Sequence, residues 1–248
     1  MAMDKLGLIG KPSDWLISSR YDATILRKKL HIDIVDIPIE EVTSLGEVDG
    51  GEEGALVIYN RLREIVERYQ LSGLTLRCFD LLTTVKNTGC LALAKLNAEG
   101  IPAACEGDVP TLITMVLANR ITGCPGFQCN PARVNTETGQ MLWAHCTIPY
   151  TMVDKFNYDT HFESGFGVAI HGELPTGDYT LVKVSGDLSR VFAEDVQLIR
   201  NQYEPNLCRT QVWLQTKQVI PYLLSNPISN HHVLVKGHHA QAFIDTQR

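Results

Sequence analysis

Residues 103–123, AACEGDVPTLITMVLANRITG, decide how this chain of 248 residues is read. Ala103 to Cys105 is a short apolar strand, Glu106-Gly107-Asp108 a polar turn, and Pro110 to Ile121 a helix stopped by Gly123. Pro110 falls at or near the first turn, where its missing N–H does no harm. A strand that passes through a polar turn into a helix is the unit of an α/β sheet. In open sheets of that kind ligands bind beyond the carboxyl ends of the strands, where loops diverge and helix N-termini present free N–H groups.

The unit recurs on both sides of this stretch. Lys5 to Ile9, His31 to Ile37 and Leu74 to Cys78 read as strands; Asp22 to Leu30, Ala55 to Tyr69 and Asn87 to Ala98 read as helices. In the longest of these, Leu56, Tyr59, Leu62 and Val66 recur at helical spacing with Arg and Glu between them. Gly126 to Cys129 and Met141 to His145 continue the series as two more strands. Residues 1–155 are therefore expected to form an α/β domain with a mainly parallel sheet. From Gly165 the pattern changes to short alternating runs, FGVAIHGEL, YTLVKVSGD, VQLIRNQ, TQVWLQT and HHVLVKG, punctuated by Pro175-Thr176-Gly177-Asp178 and Asn226-Pro227. Residues 156–248 are expected to form a small antiparallel β-barrel.

Composition narrows the functional classes. With 22 Lys and Arg against 28 Asp and Glu, a net charge of −6 and no basic cluster, the chain has no face for nucleic acid. The longest apolar runs, such as LITMVLA at 112–118, fall well short of the roughly 20 residues that span a bilayer, so no membrane partner is expected. The start, MAMDKLGLIG, has no basic segment followed by an apolar one and does not read as a secretion signal. Seven cysteines without a CxxC pair read as reduced thiols of a cytoplasmic protein.

Several strand ends carry polar groups. Glu106 and Asp108 follow Ala103–Cys105, Asn130 follows Phe127–Cys129, His145 and Cys146 follow Leu142–Ala144, and Asn230-His231-His232 lies far downstream. Each has a plain structural explanation. Asp108 before a helix is an N-cap more often than a catalyst. A lone His145 is more often a hydrogen-bonded core residue than a ligand, and the cysteines are by default small buried hydrophobes. His231 and His232 on a strand must point to opposite faces, so only one can enter a given site. Gly7-Leu8-Ile9-Gly10 lacks the third glycine of a dinucleotide fingerprint. Taken together, however, carboxylates and imidazoles arriving from separate strands suit Mn²⁺, Co²⁺, Fe²⁺ or Zn²⁺, which would polarise a carbonyl and stabilise an enediolate.

The chain resembles the L-fucose isomerase-like proteins, with the L-arabinose isomerases more distant. The resemblance rests on Gly7-Leu8-Ile9-Gly10 with Ser13-Asp14-Trp15, Leu76-Arg77-Cys78-Phe79, Ala104-Cys105-Glu106-Gly107-Asp108, Asn130-Pro131, Ala144-His145-Cys146 with Ile148-Pro149, His161-Phe162-Glu163-Ser164-Gly165, Cys208-Arg209-Thr210 and Asn230-His231-His232, in family order. It implies a Rossmann-like middle domain followed by a β-barrel, a homo-oligomer, and Mn²⁺-dependent isomerisation of an open-chain sugar such as L-fucose or L-arabinose. Glu106 matches a metal ligand that also takes part in acid–base chemistry, and Asp108 is a further catalytic candidate. His232, ahead of His231, matches the C-terminal ligand, and His145 a ligand of the arabinose branch. Arg77, Glu163, Arg209 and His231 are the expected sugar-binding residues. The family's second acidic ligand falls 24 positions after the first, and here that position is Asn130. An amide can coordinate a metal but cannot accept a proton. The family's N-terminal domain is expected to be missing. Both departures leave open a non-catalytic sugar-binding or regulatory paralogue, or a fragment that needs a partner domain.

Overall fold

In the computed structural model, which describes residues 3–246, the first four strands pair in parallel. They are β1 (Asp4–Ile9), β2 (Ile32–Ile37), β3 (Gly73–Leu76) and β4 (Ala103–Cys105), in the order β2-β1-β3-β4. Their carboxyl ends point the same way, towards the turn that carries Glu106. The helices between them are α1 (Ala23–Leu30), the single turn α2 (Glu40–Thr43), α3 (Glu52–Tyr69), the single turn α4 (Leu81–Thr84), α5 (Cys90–Ala98) and α6 (Val109–Thr122).

Local sequence explains these elements. The Asp22 carboxylate caps α1 by accepting from Ile25 N at 3.0 Å, and Arg27, Lys28 and Lys29 favour its C-terminal end. In α3 the buried residues Ala55, Ile58, Leu62, Ile65 and Val66 form one stripe, and Arg61 and Arg63 pair with Glu64 and Glu67 on the surface. α6 differs, since every residue from Val109 to Ala118 is buried. It is apolar all round because it lies between two layers. Leu6 and Leu8 of the sheet and Val182, Val184, Val233 and Val235 of the second half share one core cluster with it.

The second half is a closed barrel of six antiparallel strands. In chain order these are β5 (Phe127–Asn135), β6 (Gln140–His145), β9 (Gly177–Val184), β10 (Val191–Gln202), β11 (Thr210–Gln215) and β12 (His232–Lys236), and they close in the order β10-β11-β6-β5-β12-β9. A separate two-stranded sheet joins β7 (Lys155–Asp159) to β8 (Ala169–Glu173). Two short helices, α7 (Val219–Ser225) and α8 (Ala240–Asp245), complete the chain. No helix among the described residues is long and apolar enough to cross a membrane.

One expectation is corrected here. The runs at 126–129 and 141–145 were assigned to the parallel sheet, yet they are the antiparallel barrel strands β5 and β6. The change of sheet therefore falls between Cys105 and Phe127 rather than near residue 155. Only residues 136–139 connect β5 to β6, and so short a link makes a hairpin, whereas a parallel crossover needs a dozen residues or more. β5 does meet the parallel sheet, through a side chain. Gln128 Oε1 accepts from Cys105 N at 2.8 Å, and its Nε2 faces Cys105 O at 3.4 Å, so that the amide stands in for the missing neighbour of β4.

Candidate active site

A cavity of about 330 Å³ opens where the carboxyl ends of β3 and β4 meet one end of the barrel. That volume lies at the lower end for small-molecule sites and suits one monosaccharide. Glu106 forms part of its floor. The backbone turns sharply there, with φ of +67° at Glu106 and +62° at Gly107. A Cβ at Gly107 would stand 2.4 Å from the Lys11 carbonyl oxygen, so glycine is required by both conformation and space. Ser13 Oγ donates to the Glu106 carbonyl and ties the 10–20 loop to this turn.

The Glu106 side chain is held on both oxygens. Oε2 accepts from Trp15 Nε1 at 2.8 Å; Oε1 faces His231 Nε2 at 3.3 Å and His145 Nε2 at 3.8 Å. Burial by itself would raise its pKa, but the two imidazoles outweigh burial and hold the carboxyl well below the usual range. Glu106 is therefore ionised. Burial pushes His145 down, against the pull of Glu106, so this ring is neutral at pH 7. Its Nδ1 is within 2.9 Å of Thr147 Oγ1, which sets the ring's orientation. His231 goes the other way. Burial opposes its charge, but Asp108 and Glu106 on either side overcome burial and raise it to about 9.

Asp108 stands behind the site and does not line the cavity. It is fully buried, caps α6 by accepting from Thr111 N at 2.8 Å and Thr111 Oγ1 at 2.7 Å, and holds His231 Nδ1 at 2.9 Å. Lys183 Nζ lies 3.5 Å away, also fully buried, and reaches Thr111 Oγ1 at 2.5 Å. Burial would raise the Asp108 carboxyl, but Lys183 and His231 bring it to about 2. The two carboxylates and two cations form one chain, Lys183–Asp108–His231–Glu106. Asp108, expected as a catalytic residue, thus lies behind the cavity and touches it only through His231.

The expected ligand His232 is also placed elsewhere. It opens β12 directly after His231 and faces the opposite side, where its ring packs on Trp143 and Tyr222 and its Nε2 is 3.2 Å from Tyr222 Oη. Burial drives its pKa down to about 3, so it is a neutral core residue. Asn130 lines the cavity. So does Glu163, on the strap between β7 and β8, with Oε2 3.7 Å from His161 Nε2. Arg77 and Arg209, expected to touch sugar, brace the walls. Arg77 donates to Pro12 O at 2.8 Å and lies 4.5 Å over the Trp15 ring; Arg209 donates to Thr160 O at 2.6 Å and Pro205 O at 2.8 Å.

Three participants went unassigned in the sequence. Trp15 reaches Glu106 from a loop, and nothing in local periodicity announces that. His161 packs with Phe79, at 6.3 Å between ring centroids, on the cavity wall. Lys183 did leave a signal, because a single lysine inside the apolar run YTLVKV must find a buried partner. Donor atoms of Cys105, Glu106 and His145 lie within 4.8 Å of one another, close enough to share a cation.

The chain is similar to curated proteins named sulfoquinovose isomerase. One from Alkalicoccus urumqiensis is 25% identical over 156 residues, covering 60% of this chain and 35% of the relative. Another from Clostridium sp. (strain MSTE9) is 28% identical over 109 residues, covering 43% of this chain and 24% of the relative. The matches thus span about a third and a quarter of those relatives' own lengths. No family model matches the chain. At this identity and coverage the likeness bears on neither the substrate nor a metal.

Proposed function

We propose that the cavity around Glu106 is the catalytic centre of a cation-dependent aldose–ketose isomerase acting on a monosaccharide. The observation that carries this reading is the convergence on one cavity of the Glu106 carboxylate with the ring nitrogens of His231 and His145, at 3.3 and 3.8 Å, and of Asn130 on its wall. Carboxylate, imidazole and amide oxygen are donors that Mn²⁺ accepts, so the residues present fit such an ion, with Glu106, His145 and Asn130 to hold it and His231 to join them on releasing its Nε2 proton. When bound, it would polarise the sugar's carbonyl and hydroxyl oxygens.

The chain's own residues supply the rest. Glu106 takes the proton from C2 of the open-chain aldose, leaving an enediolate, and returns it to C1, while the O2 hydroxyl proton passes to O1 and leaves the carbonyl at C2. Asn130 can bind a hydroxyl but cannot accept a proton, so acid–base work falls on Glu106. Trp15 holds the second Glu106 oxygen, and Trp15 and Phe79 cover the cavity against water. Lys183 and Asp108 fix His231 from behind. Sulfoquinovose, the sugar in the relatives' names, carries a sulfonate. No Lys or Arg lines this cavity and two Glu do, which favours a neutral aldose.

The test is isomerisation in D₂O with Mn²⁺, following deuterium at C1 and C2 by NMR for L-fucose, L-arabinose and sulfoquinovose. Ketose formation that EDTA abolishes is expected. Binding of aldoses without any exchange would instead establish a sugar-binding protein, the reading that Asn130 favours. Asn130→Asp restores a second carboxylate and is expected to tighten Mn²⁺ binding, measured by calorimetry. An unchanged Mn²⁺ affinity would place Asn130 outside the ion's reach.

A further inference from the structure

The thiols on the other wall of the cavity take no part in that chemistry. Cys90 opens α5, Cys146 follows β6, His161 lies on the strap after β7, and Cys208 comes just before β11; all four line the cavity. The Sγ atoms of Cys90 and Cys146 and a ring nitrogen of His161 lie within 4.8 Å of one another, and all three residues are buried. Cys208 packs against the cluster that Cys90 and Cys146 form with Ala169. Four segments far apart in sequence thus bring three sulfurs and an imidazole to one place. Apolar packing alone would be served as well by Ala or Val.

We propose that Cys90, Cys146 and His161 form a second cation site, for a thiophilic divalent ion of the Zn²⁺ class, with its fourth position open to the cavity. The donors select the ion. Thiolate and imidazole suit Zn²⁺, whereas Mn²⁺ prefers oxygen, so the two walls of the cavity sort cations by donor type. Three protein ligands with an open fourth position are a recurrent arrangement for accessible zinc. Tetrahedral bonds of about 2.3 Å to sulfur and 2.0 Å to nitrogen need donor separations of roughly 3.5–3.8 Å, so the side chains need close by no more than about 1 Å. His161 is prepared for this role. Its Nδ1 is 3.1 Å from Ser164 Oγ, which orients the ring and leaves Nε2, 3.7 Å from Glu163 Oε2, to bind. The site does not depend on the isomerase reading, since no group in it is asked to touch a sugar.

The test uses the reduced, metal-free chain, titrated with Zn²⁺ by equilibrium dialysis and with Co²⁺ as a spectroscopic substitute. A thiolate-to-cobalt charge-transfer band that Zn²⁺ bleaches is expected. Cys146→Ser should remove the band and weaken Zn²⁺ binding by roughly 10²-fold or more, because each ligand carries a large share of the affinity of such sites. Cys90→Ser gives the same reading if Cys146→Ser does not fold. Glu106→Gln should keep both the band and the affinity. Folded wild-type protein without the band overturns the proposal, as does a band lost in Glu106→Gln and kept in Cys146→Ser.

Discussion

The turn between β4 and α6 and the start of β12 meet across one buried chain of charges, and each separates two chemically alike neighbours. In the turn, Glu106 goes to the cavity and Asp108 into the interior. At the start of β12, His231 turns to Glu106 and His232 to Trp143 and Tyr222. The devices differ. The strand divides its histidines by alternation, which requires no strain. The turn needs two consecutive left-handed residues, one of them a glutamate, and a left-handed residue other than glycine costs about 1–2 kcal/mol. Strain of that size persists where the surrounding structure holds it, here through Ser13 and Trp15. The difference places the demanding geometry at the carboxylate, where position matters most for proton transfer.

The comparison can be broken most decisively at Glu106. Glu106→Gln keeps the shape and a carbonyl oxygen but loses the proton acceptor, and turnover in the Mn²⁺ assay should fall roughly 10²–10⁴-fold. A variant of undiminished rate would move the chemistry elsewhere. Lys183→Met tests the charges behind the site. It leaves Asp108 short of its lysine in a dry interior, and urea unfolding should show a loss of about 3 kcal/mol, partly recovered in Lys183→Met/Asp108→Asn. Full additivity of the two changes would mean that they are not a pair.

Gly107→Ala probes the turn itself. The left-handed conformation and the Lys11 carbonyl together should lower stability by about 1–3 kcal/mol and displace Glu106, so the rate should fall as well. The smallest effect is expected at His232. His232→Phe removes the contacts to Tyr222 Oη and Asn230 O and keeps the aromatic packing on Trp143, so stability should change by about 1–2 kcal/mol and Mn²⁺ affinity not at all. His231→Phe, measured beside it, should abolish tight Mn²⁺ binding. Equal effects of the two histidine variants on Mn²⁺ would contradict the division made by the strand.

Much of this was legible in the sequence because the signals are local. The run 103–123 announces its strand, polar turn and helix, and the capped or periodic segments at 22–30 and 52–69 appear as helices in the structure. Alternation shows that His231 and His232 cannot share a site, but not which of them enters it, since both faces of β12 are buried. For β5 and β6 the apolar pattern is the same in a parallel sheet and in a barrel. Only the length of the link at residues 136–139 distinguishes the two.

By itself the sequence determined the α/β-then-barrel order, most of the elements and the set of polar residues available for chemistry, because periodicity and turn residues act within a few positions. The tertiary structure decided their roles. It set Asp108 behind His231 with Lys183 rather than in the cavity, turned His232 into the barrel, made Arg77 and Arg209 braces, and brought Trp15 to Glu106 and Cys90, Cys146 and His161 to one wall. Those outcomes depend on which distant segments the barrel and the sheet bring together, and on how desolvation is balanced by charge once they are buried.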